Sequence, residues 1–346
     1  MLTSSAAIAD KEAATSASAG GCWMFDTTRL ASPLRQPVRA TLGELGVIRA
    51  NGEDAARFLH GQLTSGVEHL RGDRMQLAGY CTAKGRLLAT FRLWREGDAF
   101  YLLLPREILP AVMKRLSMFV LRAKARLVDD SGSWRIGAVF GSGVAAALRA
   151  GGIEVPAGVG DCVGAGSLRL ARLHPGLRVA ERFLVLDRLD AAGGSSLHLE
   201  SLPEVDAGAF WWSEIDAAIP TVFVATQEKF VPQMINFEVV GGVDFAKGCY
   251  PGQEVVARSQ YRGKLKRRMQ LAHCAAVAAA GADVYADGEA EPAGTVVMAA
   301  SAVDGGFDVL FECPLERVGP GLRAGATDGP PLDLLALPYE LVDVTA

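Results

Sequence analysis

The sequence predicts an α+β fold in which two mixed segments are followed by a smaller β-rich segment. Strand-like and helix-like stretches alternate up to a turn at residues 129–132, and the pattern starts again at Trp134. From Met269 onward, short strand-like pieces alternate with Gly and Asp turns, which is typical of a small β-barrel. The length of 346 residues fits two or three domains. The predicted division is a disordered tail at 1–25, an N-terminal α+β domain at 26–130, a middle α+β domain at 131–225, a segment with the run K-G-C-Y-P-G-Q-E and a basic linker at 226–268, and a C-terminal β-barrel at 269–346.

Turn residues and apolar periodicity define the elements of the N-terminal domain. The turn Asn51-Gly52 separates a strand from a helix whose apolar residues Phe58, Leu59 and Leu63 recur at helical spacing. Hairpin turns at 82–85 and 95–98 separate three further strands. The predicted strands are 43–50, 75–81, 86–94, 99–104 and 123–128, and Pro105 opens a second helix.

The middle domain and the barrel give similar signals. Apolar runs on either side of the turn His174-Pro175-Gly176 predict a pair of strands, and an aromatic helix ends before Pro220. The predicted strands are 134–140, 167–173, 183–186, 295–298, 307–311 and 334–337, and the predicted helices are 144–149 and the stretch with Phe210, Trp211, Trp212 and Ile215.

Composition excludes several classes of protein. No apolar run approaches the ~18 residues that a bilayer-spanning helix needs, so we expect no membrane association. The N-terminal stretch has neither the basic start and apolar core of a secretory signal nor the arginines of a mitochondrial presequence, which predicts a disordered tail and a cytoplasmic protein. No two of the six cysteines form a C-x-x-C pair, so no local motif predicts a metal site. Nucleophile-elbow and Walker-type motifs are also missing.

Charge is distributed unevenly along the chain. The formal net charge is −4, yet residues 281–346 contain twelve acidic residues and two arginines. Six cations and no acid lie between residues 258 and 268, namely Arg258, Arg262, Lys264, Lys266, Arg267 and Arg268. Such a cluster is typical either of contacts with phosphates or an anionic ligand or of a solvated linker.

The most unusual stretch is residues 247–258, which we call the signature segment. Pro251-Gly252 forms a turn, and the residues from 253 to 261 favour a helix. Cys249 therefore precedes a predicted helix N-terminus, whose positive end would favour a thiolate, as would Lys247. The alternative is a structural loop with a buried, inert cysteine, because no histidine lies nearby in sequence to act as a base.

The run K-G-C-Y-P-G-Q-E, followed by V-V-A-R and then Y-R-G, resembles the signature of the YgfZ family of folate-binding proteins. Those proteins are similar in fold to the glycine-cleavage aminomethyltransferase. The resemblance extends over residues 41–269, and the eight-residue run is its most specific part. The other matching stretches are 83–86 (A-K-G-R), 91–93 (F-R-L), 97–98 (G-D), 180–184 (A-E-R-F-L), 230–233 (F-V-P-Q), Asn236 and 241–242 (G-G).

The resemblance implies an aminomethyltransferase-like arrangement of three domains around a central opening that binds tetrahydrofolate. It also implies a role in maintaining iron–sulfur enzymes, including those that thiolate tRNA. The expected partners are therefore folate, iron–sulfur enzymes or assembly proteins and, as an open question, tRNA.

The family match also implies roles for individual residues. It makes Cys249 the candidate essential thiol, and it places Phe210 and Trp211 where the family has a ligand-facing tryptophan; ordinary core aromatics are the alternative for this pair. The family's other folate-facing tryptophan aligns with Leu45. The remaining expected site residues, which would shape the signature segment, are Lys247, Gly248, Tyr250, Gly252, Gln253, Glu254 and Arg258.

Two other functions remain open at this stage, and so does the question of whether the chain is an enzyme. A folate-dependent one-carbon transferase is the first, although aminomethyltransferases carry an acidic residue on the strand after the A-K-G-like turn. Residues 86–90 contain no carboxylate, which disfavours aminomethyl transfer because acid–base work needs such a group within hydrogen-bond reach. An RNA-binding accessory factor that uses the 258–268 cluster is the second.

Overall fold

Three β-sheets make up the protein in a computed structural model that describes residues 22–23, 35–189, 198–261 and 265–341. The strands are β1 (Cys22–Trp23), β2 (Val38–Thr41), β3 (Leu45–Asn51), β4 (Met75–Cys81), β5 (Leu87–Glu96), β6 (Ala99–Pro105), β7 (Arg126–Asp129), β8 (Trp134–Phe140), β9 (Cys162–Ala165), β10 (Leu168–Arg172), β11 (Arg182–Arg188), β12 (Glu204–Val205), β13 (Arg267–Cys274), β14 (Asp283–Ala286), β15 (Gly294–Ser301), β16 (Phe307–Pro314), β17 (Leu322–Ala324) and β18 (Asp333–Leu335). The α-helices are α1 (Ala55–His60), α2 (Leu109–Ser117), α3 (Val144–Ala150), α4 (Ala207–Asp216) and α5 (Gln253–Tyr261).

The first sheet has five strands in the order β4-β5-β6-β3-β7, and α1 and α2 pack against it over a shared apolar core. Two sequence predictions are wrong in detail here. Leu63 lies outside α1 and forms an isolated β-bridge with Tyr80. Pro105 ends β6 opposite Leu45, while Pro110 lies in the first turn of α2. Both positions suit a residue without an N–H, because strand ends and first helical turns leave that donor unused.

The middle sheet has six strands in the order β12-β2-β8-β11-β10-β9. Strand β2 lies within the range predicted for the N-terminal domain, yet it pairs antiparallel with β8 of the middle sheet. Its side chains alternate, with Val38 and Ala40 buried and Thr41 exposed, which suits a strand with one face on the core. The chain therefore passes from the middle sheet to the first sheet between β2 and β3. It returns to the middle sheet after β7, near the boundary predicted at residue 130.

The C-terminal sheet closes on itself. Its strands follow the order β17-β14-β15-β16-β13-β18. The stretch that leads into β18 also pairs with β17, because the Ala324 N–H donates to the Pro330 carbonyl at 3.0 Å and the Leu332 N–H to the Leu322 carbonyl at 2.8 Å. Residues 330–332 of this segment thus form hydrogen bonds with β17, and residues 333–335 pair with β13. The predicted small β-barrel is confirmed.

The prediction of a disordered tail through residue 25 fails at Cys22 and Trp23; residues 1–21 and 24–25 lie outside the described residues. These two residues form β1, which pairs in parallel with Ala299 and Ala300 of β15. The Trp23 indole stacks on that of Trp211, with ring centroids 5.2 Å apart. Burying an aromatic ring of this size offsets the entropy cost of ordering a short strand.

Truncation should therefore give a sharp boundary. Deleting residues 1–21 should leave the melting temperature within about 1–2 °C of the full chain. Deleting residues 1–23 should lower it by a further ~3 °C or more, because the burial of the Trp23 ring is removed. Differential scanning calorimetry of both truncations checks this, and equal melting temperatures would show that β1 contributes nothing to the stability.

A buried ion network joins the middle sheet, α4 and the barrel. The Arg178 guanidinium bridges Asp216 of α4 at 2.7 Å and Asp308 of β16 at 2.6 Å. Asp308 is fully buried and also accepts a hydrogen bond from the Trp212 indole N–H at 2.7 Å. The arrangement holds α4, the aromatic helix, in a fixed position between two domains.

Candidate functional site

Three adjoining cavities lie between the first sheet, the middle domain and the segment before α5. The outer cavity has a volume of about 550 Å³, the middle cavity about 180 Å³ and the inner cavity about 20 Å³. Arg74, Gln76 and Gly241 line both the outer and the middle cavity, and Leu77 and Arg92 line both the middle and the inner one. The shared lining residues therefore place the three cavities next to one another in series.

Lys247 of the signature segment forms part of the wall of the outer cavity. Its ammonium group donates to the carbonyl of His60 and, at 2.6 Å, to that of Leu63, and it lies 4.9 Å from the centre of the Tyr250 ring. Burial lowers the pKa of Lys247 to about 8, although neighbouring acidic groups, Asp244 among them, favour the charged form. Lys247 thereby fastens the signature segment to the end of α1.

Gly252 fixes the signature segment against the turn between β4 and β5. Its φ is +81°, and a Cβ at this position would lie 2.6 Å from both the Cα and the N of Gly85 and still closer to the Thr82 carbonyl. Gly85, with φ +71°, has the side chain of Val255 3.0 Å from its own Cβ position. A residue with a side chain fits neither position without moving backbone. The signature segment and the matching stretch 83–86 thus contact each other directly.

A third matching stretch, 230–233, supports both of them. The Gln233 amide donates to the Val256 carbonyl of α5 at 2.7 Å, and the Leu87 N–H donates to the Phe230 carbonyl at 2.8 Å. The Gln233 carbonyl in turn accepts a bond from Arg268 at 3.1 Å. Helix α5 is therefore anchored through its backbone to the first sheet and to the barrel.

Cys249 is exposed, whereas the other cysteines are buried free thiols. The buried thiols are Cys22, Cys81, Cys162, Cys274 and Cys313. Burial raises the pKa of each of these, for example to about 11 for Cys22 and about 12 for Cys81. Cys22, which the tail prediction places in solvent, is thus shielded by β15. The exposure of Cys249 excludes the expectation of a buried thiol for this residue, and its reactivity stays a prediction.

Native-state alkylation should therefore modify one thiol. With the folded full chain and a maleimide near neutral pH, we expect Cys249 to react and the other five cysteines to stay protected, because burial blocks access and disfavours the thiolate. Mass spectrometry of the digest identifies the site, and the unfolded chain, in which all six thiols should react, is the control. Faster labelling of any buried cysteine would contradict the placement.

The other residues of the signature segment differ in how far their side chains are exposed to solvent. Tyr250 is buried beneath Lys247, and burial raises the pKa of its hydroxyl. Glu254 and Arg258 are exposed on α5, and Gln253 is half-buried at its start. Tyr250 thus belongs to the packing of the segment, while Glu254 and Arg258 face solvent.

The aromatic pair predicted to face a ligand is buried in α4. Trp211 lines the inner cavity together with Leu45, and its indole N–H donates to the Glu44 carboxylate at 2.7 Å. Burial raises the pKa of Glu44. Phe210 packs edge-on against Trp211 and is not among the residues lining the three cavities. A volume of about 20 Å³ holds a single water molecule, so a pterin ring would reach Trp211 only if the walls moved.

Sequence reasoning missed a buried charge cluster behind the middle cavity. Glu214 of α4 is fully buried between Arg92, at 2.5 Å, and Arg182. Burial alone would raise the pKa of Glu214, but the two guanidinium groups outweigh it and hold the pKa below its usual value. His174 lines the same cavity, and burial together with these arginines lowers its pKa to about 4. The sequence feature that could have indicated this cluster is Arg92, a charged residue between Phe91 and Leu93 in an otherwise apolar run.

The basic stretch at 258–268 is only partly available to a ligand. Arg267 pairs with Glu312 at 2.7 Å, and the buried Arg268 pairs with Glu238. Residues 262–264 lie outside the described residues. Two of the six cations that suggested phosphate contacts thus hold the barrel in place, which weakens that interpretation of the stretch.

The part of the chain that the structure describes contains no cluster of metal-ligating side chains and no helix that could span a membrane. No group of three or more His, Cys, Asp and Glu side chains there is arranged to hold a metal ion. No helix in the same residues is long and apolar enough to cross a bilayer.

Comparison with known proteins identifies relatives in sequence and a protein of similar structure. No family model matches the chain. It is 31% identical over 249 residues to proteins named tRNA-modifying protein YgfZ from Escherichia coli and Escherichia fergusonii, and each alignment covers 69% of this chain and 75% of the relative. Its structure is similar to that of the glycine cleavage system aminomethyltransferase T from Bartonella henselae, with a TM-score of 0.69, 15% identity and coverage of 87% of this chain and 86% of that one. The expected aminomethyltransferase-like fold is confirmed.

Proposed function

The chain belongs to the YgfZ family, and on that premise we propose that it binds tetrahydrofolate in the central cavities and supports iron–sulfur enzymes that modify tRNA. The observation that bears most on this proposal is the continuity of the three cavities with the signature segment at their outer end. One opening would place a bound folate next to the segment that contains Cys249.

The cavities suit a folate in size and chemistry. The outer cavity alone, at about 550 Å³, lies within the range of small-molecule sites. The middle cavity offers the Gln76 side chain and the guanidinium groups of Arg92 and Arg172 around apolar walls, which suits a flat ring with polar edges. Arg71 and Arg74 at the outer cavity pair with Asp73 and Asp161 at the surface, and a glutamate tail would have to share these cations with those carboxylates.

Within the proposal, Cys249 is the residue that meets a sulfur donor, a cluster or a client enzyme. Its exposure beside the outer cavity allows a macromolecule to reach the thiol while folate occupies the opening. The contacts of Gly252 with the β4–β5 turn and of Lys247 with the end of α1 hold the segment in one position. The thiol would therefore be presented at one fixed position beside the bound folate.

Aminomethyl transfer is the alternative, and the site residues disfavour it. Among the described residues that line the middle and inner cavities, none has a carboxylate side chain, and the Asp244 carboxylate of the outer cavity accepts a hydrogen bond from the Ala246 N–H at 2.9 Å. Glu214 lies behind Arg92, and its pKa is held low by its two arginine partners, so it is a poor proton donor at neutral pH. We expect binding of tetrahydrofolate without transfer of an aminomethyl group.

The functional proposal is tested by complementation. A strain that lacks its own copy of this protein is supplied with the wild-type chain, with Cys249→Ala or with Cys274→Ala, the same change at a buried thiol of the barrel. We expect wild type and Cys274→Ala to restore iron–sulfur enzyme activity and thiolated nucleosides in tRNA, and Cys249→Ala to fail at equal protein level. Full restoration by Cys249→Ala would refute the role of the thiol.

A further inference from the structure

The turn after α2 exposes three large apolar side chains to solvent. We call residues 118–121 the apolar tip. Met118 is 57% exposed, Phe119 43% and Leu121 85%, which is the largest value among the exposed large apolar residues. Leu121 also has a φ of +44°, a conformation that is unfavourable for a branched side chain. Exposed apolar side chains held in an unfavourable backbone are typical of an interaction surface.

Cations flank the apolar tip on both sides. Between Glu107 and Asp129 the chain contains five basic residues and no acidic one. These are Lys114, Arg115, Arg122, Lys124 and Arg126. Lys124 pairs with Glu53 at 2.7 Å and Arg115 is half-buried beside Tyr80, but Lys114, Arg122 and Arg126 are exposed and form no ion pair with a described residue. These three exposed cations, which flank the tip in sequence in a protein of net charge −4, are called its basic rim.

The tip is connected to the candidate site through the first sheet. Arg115, at the end of α2, lies beside Tyr80 of β4, and the next residue, Cys81, lies close to Tyr250 of the signature segment. A large partner held at the tip would therefore bind to the domain against which the signature segment packs.

The surface fits one class of partner better than others. An exposed aromatic ring surrounded by cations is the combination that binds unpaired nucleotides, because bases stack on the ring and phosphates pair with the cations. Residues 281–346 contain twelve acids and two arginines, and the exposed acids among them, such as Asp304 and Asp333, would repel a polyanion and so direct it to the basic rim.

We propose that the apolar tip and its basic rim bind unpaired nucleotides of a tRNA, with a base stacked on Phe119 and phosphates paired with Lys114, Arg122 and Arg126. This inference rests on the proposed function in tRNA modification and adds to it a contact surface outside the central cavities. The tRNA would bind to the first domain while the central opening stays free for folate.

The test is fluorescence anisotropy with labelled, unfractionated bacterial tRNA and the full chain at several salt concentrations. Phe119→Ala should weaken binding by about fivefold or more. Arg122→Gln with Arg126→Gln should reduce the slope of log affinity against log salt by about 1.4, because each of the two arginines neutralises one phosphate and a single strand contributes about 0.7 per phosphate. The matched controls Val277→Ala, an equally exposed apolar residue of the barrel, and Arg149→Gln, an exposed cation on α3, should bind like wild type.

Three results would overturn the inference. The first is wild-type affinity for tRNA in the tip variants, and the second is no tRNA binding by the wild-type chain. The third is loss of binding to phosphatidylglycerol vesicles in the tip variants while tRNA binding is unchanged, which would assign the tip to a lipid surface. Calorimetry of every variant with tetrahydrofolate separates this failure from that of the proposed function, because the tip lies outside the cavities.

Discussion

Replacing Gly252 by alanine should disrupt the signature segment. At a φ of +81° the new Cβ would lie 2.6 Å from the Cα and N of Gly85, so backbone must move to admit it. The left-handed conformation alone costs about 1–2 kcal/mol for a residue with a side chain, and the displaced backbone adds to that cost. We expect a loss of about 3 kcal/mol or more in the free energy of unfolding, and complementation no better than that of Cys249→Ala.

A matched control separates the two costs of this change. Gly288 has nearly the same φ, +78°, but no atom lies within 4 Å of its Cβ position. Gly288→Ala should therefore lower the free energy of unfolding by only about 1–2 kcal/mol and leave complementation intact. Urea unfolding gives both free energies, and equal losses for the two variants would contradict the tight packing of Gly252 on the β4–β5 turn.

Removing the charge of Glu214 should cost about 3–5 kcal/mol of stability. The variant Glu214→Gln leaves Arg92 and the buried Arg182 without their shared carboxylate, and an uncompensated buried charge is strongly destabilising. Glu204→Gln is the control, because Glu204 pairs with Arg39 at 2.9 Å but is half exposed, and such pairs contribute only about 0–1 kcal/mol. Comparable effects of the two changes would contradict a structural role for the buried cluster.

The same carboxylate predicts a pH dependence. Because the pKa of Glu214 is lower in the folded state than in the unfolded chain, its contribution is complete above the ordinary glutamate pKa of about 4.5 and is lost as the pH falls toward the folded-state value. The stability difference between wild type and Glu214→Gln should therefore shrink below pH 4.5. Urea unfolding between pH 3 and 7 measures this difference, and a constant difference across that range would assign the effect to packing.

Local sequence signals were sufficient to predict the positions of most strands and of the helix that follows the Pro251-Gly252 turn of the signature segment. Strand β4 occupies the range that its apolar residues and flanking turns predicted, and α5 begins at Gln253 directly after the Pro251-Gly252 turn. These elements are determined by neighbours in sequence, through periodicity and turn chemistry. The family match then identified the fold, which no count of helices and strands would have done.

Contacts between segments that are far apart in sequence could not be predicted from local sequence patterns. Trp23 is buried only because β15 and Trp211 lie beside it, and no local pattern distinguishes it from the rest of an Ala- and Ser-rich tail. Strand β2 joins a sheet whose neighbouring strand β8 begins at Trp134. The cavities likewise combine Arg74, Lys247 and other residues that are far apart in sequence. Positions of this kind depend on the whole fold.

Isothermal titration calorimetry of the full chain with tetrahydrofolate tests the central claim most directly. We expect saturable binding of one molecule per chain, and weaker binding for Arg172→Met, which replaces a basic side chain that lines the middle cavity and lies outside the Glu214 cluster. The Glu204→Gln variant, whose altered side chain lines none of the three cavities, should bind like wild type. Absence of binding heat with the wild-type chain at several temperatures would contradict the account.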